Sequence, residues 1–78
     1  MNREEIEAAS YYDVEYQGQE FVVEAMWPSL TFDDAWLVSR VDNGRTFVLP
    51  TKNFLRRTHL PPSQVRHARR MRRHAEVA

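Results

Sequence analysis

Asn43-Gly44, flanked by Asp42 and Arg45 and set between two β-rich runs, constrains this chain more than any other feature. Asn-Gly is the preferred pair for a two-residue hairpin turn, because both central residues must take positive φ there. The turn predicts a register: Asp42 opposite Arg45, Val41 opposite Thr46, Arg40 opposite Phe47, Ser39 opposite Val48 and Val38 opposite Leu49. One face of that hairpin carries Trp36, Val38, Phe47 and Leu49, and the other carries Leu37, Val41 and Val48. A hairpin apolar on both faces has to be covered on both sides or curled into a barrel.

A period of two also runs from Tyr11. Tyr12, Val14 and Tyr16 point one way, with Tyr11, Asp13 and Glu15 opposite. Gln17-Gly18 offers a tight turn, and Phe21, Val23, Ala25 and Trp27 continue an apolar face opposite Glu20 and Glu24. Pro28 ends that strand, and the segment through Asp34 is a loop kept wet by Asp33-Asp34. Upstream, Asn2 followed by Glu5 is a capping-box spacing, so the first nine residues predict a short acidic helix resting on Ile6 and Ala9. Downstream of Pro50, residues 51–57 predict a helical turn or a brief closing strand holding Phe54 and Leu55. Leu60-Pro61-Pro62 is a stiff joint before a last helix running to about Ala75. The expected fold is α+β: a small, strongly bent antiparallel sheet or barrel of roughly four or five strands in residues 1–60, with a short N-terminal helix, followed by an Arg-rich helix in residues 61–78.

The chain has 78 residues and no cysteine. That length excludes a dinucleotide-binding fold or a repeat array, and the missing thiols exclude a disulfide scaffold, a thiol nucleophile and a thiolate zinc site. The longest apolar stretches are too short to cross a bilayer, and the acidic N-terminus has no secretory h-region, so a cytoplasmic protein is expected.

Net charge is zero, yet the charges are segregated. Residues 1–42 hold ten of the eleven acids against Arg3 and Arg40, a balance of −8, and residues 43–78 hold nine bases against Glu76, a balance of +8. Such a chain has a basic binding end, an acidic binding end, or two halves that neutralise each other.

The basic end is the more specific. At the helical angle, Arg66, Arg69, Arg70 and Arg73 fall on one face, with Ala68, Met71 and Ala75 opposite and Val65 and Arg72 on the flanks. Guanidinium forks match phosphate oxygens, and a row of them suits a nucleic-acid backbone. Arg56, Arg57 and Lys52 would extend the row if the helix folds back. An apolar side made mostly of alanine offers no anchor for a membrane surface. His67 and His74 are two helical turns apart, too far to share a metal ion, and His59 precedes the prolines, so no metal site is expected. Adjacent carboxylates such as Asp33-Asp34 are ordinarily solubilising, and no nucleophile elbow, triad order or phosphate loop is present. No cofactor and no enzymatic activity are expected. In the acidic half, Glu7, Asp13, Glu15, Glu20 and Glu24 either are ordinary outward-facing acids or imitate a phosphate row.

Three segments carry a likeness: Asp33-Asp34-Ala35-Trp36, Asn43-Gly44, and Val48-Leu49-Pro50-Thr51-Lys52-Asn53-Phe54. Together they resemble the second half of a Src-homology-3-type small barrel, and Ala9-Ser10-Tyr11-Tyr12-Asp13 is similar to that family's opening strand. The likeness covers residues 9–57. It departs from the family in one extra residue between Pro50 and Asn53 and in Leu37 at the second tryptophan. The resemblance implies an aromatic groove for a proline-rich or extended peptide, lined by Tyr12, Trp36, Pro50 and Phe54; the alternative is that these four are core residues of any small barrel, which leaves the likeness supporting the fold alone.

Two functions follow as expectations. The first is a non-enzymatic protein that contacts nucleic acid or a nucleoprotein through Arg66, Arg69, Arg70, Arg72 and Arg73, assisted by Arg56 and Arg57. The second is a protein-binding adaptor or small inhibitor using the barrel aromatics and acids, the kind of small polarised chain that phages and mobile elements encode. Where the Arg helix lies decides between them: across Glu15, Glu20 or Glu24 its charges cancel internally, and away from them they await a partner.

Overall fold

The computed structural model describes residues 1–77, so Ala78 of the expected helical segment lies outside the described residues. Five strands, β1 (Tyr11–Tyr16), β2 (Gln19–Pro28), β3 (Ala35–Arg40), β4 (Thr46–Pro50) and β5 (Phe54–Thr58), precede one helix, α1 (Pro62–Val77). They form a single antiparallel sheet in the order β4-β3-β2-β1-β5. The architecture is α+β with a small sheet, as the alternating patterns require.

Connection lengths force the sheet to bend. β4 and β5 are its opposite edges, yet only Thr51–Asn53, a 3-10 turn, joins them. Four inter-strand spacings in a flat sheet would separate those edges by about 19 Å, whereas the connection reaches at most about 14 Å fully extended. Two bulges supply curvature: the ladder shifts at Met26 between Ala25 and Trp27, and on β5 where Val14 meets Phe54. The concave side holds the core, in which Tyr12, Val14, Val23, Ala25, Val38 and Leu49 are all but sealed from water. Tyr12 meets Phe54 edge-on at 5.4 Å between ring centres. Its hydroxyl accepts the Glu7 N–H at 2.9 Å, and Trp36 Nε1 donates to the Arg3 carbonyl at 3.3 Å.

Three sequence expectations are corrected. The N-terminal segment is not a helix but a 3-10 turn at Arg3–Glu5, after which Ile6 is extended and buried in the core. Ala9, in left-handed backbone at φ 63°, lies exposed while its N–H bonds the Ala25 carbonyl. Two turns of helix hold less free energy than one buried isoleucine and a backbone strap along β2.

The tight turn with both residues at positive φ is Gln17-Gly18 (φ 53° and 77°), not Asn43-Gly44. At the β3–β4 end only Gly44 has positive φ, and the ladder closes on Ser39 opposite Thr46 and Val38 opposite Phe47. The cause is local. Val41 leaves the hairpin to donate its N–H to Val22 on β2, Gly44 N–H returns to the Arg40 carbonyl, and Asn43 Oδ1 accepts the Arg45 N–H. Asp42 pairs with Arg40 at 2.7 Å instead of with Arg45. The register moves by two residues, so parity is kept and Trp36, Val38, Phe47 and Leu49 still face the core.

Trp27 is the third correction. The bulge at Met26 turns it off the inner face, and it stands 52% exposed beside Leu37.

Candidate functional site

α1 begins at Pro62, whose missing N–H costs nothing in a first turn. Its inward seam is Val65, Ala68, Met71 and Arg72, and Ala68 is 4% exposed. Ala75, expected on that seam, is exposed. The helix lies over the convex side of the sheet, where Tyr11, Glu24 and Ser39 stand cross-strand from one another on one face. Gly44 lies close against its backbone: a β-carbon there would overlap the Met71 carbonyl group and the Arg72 nitrogen. Arg72 reaches down to Glu24 at 3.1 Å, in a pair whose side chains are 28% and 11% exposed. The Tyr11 phenol beside it is pushed up by burial and by Glu24, with Arg69 and Arg72 pulling the other way.

The basic residues expected to act together therefore divide. Arg72 is spent inside the molecule. Arg56 binds Asp13 at 2.9 Å and Glu20 at 3.2 Å, while Arg57 binds Glu7 at 3.4 Å and the Ser10 hydroxyl at 3.0 Å. These three arginines tie the basic half to the acidic half, each paired with a carboxylate of this chain. Arg66, Arg69, Arg70 and Arg73 remain. They are exposed, they frame one open surface with His74, and among the residues whose side chains are described, 1–75, no carboxylate lies within ion-pair distance of them. The helix is docked and still presents a cationic row outward.

The same pairing engages the acids that could imitate a phosphate row. Glu7, Asp13, Glu20 and Glu24 each hold an arginine of this chain, which leaves Glu15 as the remaining exposed member. The aromatic groove implied by the family likeness is also absent from the surface. Tyr12, Trp36 and Phe54 are core residues at 5% exposure or less, and Pro50 is half-buried beside them. Asp33 and Asp34 act through their backbone: Arg3 donates to the carbonyls of Ser29, Phe32 and Asp33, and the Asp34 carbonyl accepts the Thr51 N–H. Among the described residues no three His, Asp or Glu side chains gather as metal ligands, and no helix is long and apolar enough to cross a membrane.

One cluster escaped sequence reasoning. Tyr16 and Phe47 stack at 5.5 Å, Phe21 joins Phe47 at 6.1 Å, and the Arg40 guanidinium lies 4.0 Å over the Phe21 ring. Each was readable as an inward strand residue. That they meet at an open end of the sheet follows from register, which no local pattern carries. Compared with models of known families, with curated proteins and with solved structures, the chain gives no significant match.

Proposed function

We propose that this chain is a small, non-enzymatic cytoplasmic protein that binds the phosphate backbone of nucleic acid along the outer face of α1. The observation that carries the reading is the contrast between two sets of arginines. Arg56, Arg57 and Arg72 are neutralised by acids of the chain, while Arg66, Arg69, Arg70 and Arg73 stand open at helical spacing on a seated helix. Long cationic side chains held in a row on a rigid element suit a periodic polyanion, and they contact phosphates without reading bases. The strand order and the 3-10 turn between β4 and β5 support a Src-homology-3-like scaffold beneath the helix.

Fluorescence anisotropy of the full chain with labelled duplex and single-stranded oligonucleotides across a salt series tests this. Engagement of about four phosphates gives a log–log salt slope of about −3 to −4. A folded chain that binds neither at low salt ends the proposal.

A second reading, a protein-binding adaptor or inhibitor, is favoured by Trp27, Leu30 and Phe32, exposed at 52%, 98% and 60%. It takes precedence if nucleic acid is not bound.

A further inference from the structure

The cluster at the open end of the sheet has the chemistry of a nucleotide site. Its groove, of about 390 Å³, is floored by Tyr16, Phe21 and Phe47 and rimmed by Gln19, Asn43 and Arg45. No carboxylate lines it. Arg40 forms one wall, its guanidinium plane fixed by two bonds to Asp42 at 2.9 and 2.7 Å while it covers Phe21. Among the described residues, the Arg45 side chain has no acidic partner. Aromatic faces and a fixed guanidinium plane stack flat π systems, side-chain amides meet the edges of bases, and a free cation meets a phosphate.

Position links this groove to α1. The β3–β4 turn touches the helix backbone through Gly44, while Asn43 and Arg45, the residues on either side of Gly44, line the groove. The groove opens on the inner face of the sheet and α1 lies on the outer one, so a strand that engages both Arg66–Arg73 and the groove passes around the β3–β4 turn. Bases in a duplex are stacked and paired, so only an unpaired one can enter. We propose that the Tyr16–Phe21–Phe47 groove holds an unpaired base, and that the chain's ligand is single-stranded nucleic acid. This rests on the reading of α1 given above and narrows it.

Three probes separate the two claims: a mixed-sequence single strand of about 12 nucleotides, the same sugar–phosphate chain with every base removed, and a blunt duplex. The intact strand binds the full chain roughly tenfold or more tighter than the abasic strand. Its titration also moves the backbone amide signals of Gln19, Asn43, Arg45 and Thr46. In Phe47→Leu the preference for the intact strand falls toward one, and the amide shifts in the unsubstituted chain report independently should that variant fail to fold. Equal affinity for intact and abasic strands overturns the groove assignment and leaves the phosphate reading standing. Binding of none of the three overturns both. Movement of the groove amides by a proline-rich peptide, and not by the strand, assigns the groove to a protein ligand and overturns the proposal.

Discussion

Gly18 and Gly44 share a backbone problem and differ in their surroundings. Both have positive φ, 77° and 74°, where a side chain crowds its own carbonyl. Nothing lies within 4 Å of the place a β-carbon would take at Gly18, whereas at Gly44 the backbone of α1 already fills it. Gly18→Ala should therefore cost only the conformational penalty, about 1 kcal/mol. Gly44→Ala should cost about 1–3 kcal/mol more, since helix or turn must move to admit a methyl group. Urea denaturation of the two variants measures the difference. Equal losses would mean that α1 is not seated on the β3–β4 turn.

Elements were legible in the sequence to the extent that their signals are local. Period two marked β1 through β4 and sorted their faces, and the 3.6-residue spacing of Arg66, Arg69, Arg70 and Arg73 marked the open face of α1. Tertiary bonds decided the rest. The Val41 N–H to Val22 bond moved the hairpin register, and the Met26 bulge turned Trp27 outward. β5 found β1 at the far edge because a curled sheet brings it there. The pairing of Arg72 with Glu24 was visible only once helix and sheet were placed together. Tyr11 in that seam also adds a slope to stability at alkaline pH. Burial, then Glu24, raises the Tyr11 pKa, so the folded chain holds its phenolic proton above the pH, near 10, at which an unfolded chain releases it. Below that pH Tyr11 contributes no slope. As pH rises from about 10 through the folded value, the unfolded state binds fewer protons and stability falls. Tyr11→Phe should flatten this limb in unfolding free energies measured from about pH 9 to pH 11. An unchanged slope would remove Tyr11 from the buried seam.

At the scale of the molecule, the two charge-segregated halves fold onto each other without cancelling fully. The body spans 29 × 25 × 24 Å, and mobile ions screen exposed charges beyond about 8 Å at physiological ionic strength. Acids elsewhere on the surface thus do little to mask the row on α1 at contact distance. Zero net charge is compatible with a strongly cationic face built from Arg66, Arg69, Arg70 and Arg73. The decisive measurement removes two charges from each set in the full chain and compares anisotropy with one labelled single strand at low salt. The pairs at Arg56 and Arg57 are largely exposed and contribute little to folding, so both double variants should remain folded. R66Q/R70Q is predicted to weaken binding on the order of tenfold or more, and R56Q/R57Q to leave it within about threefold. Equal losses, or the larger loss in R56Q/R57Q, would contradict the assignment of binding to the outer face of α1.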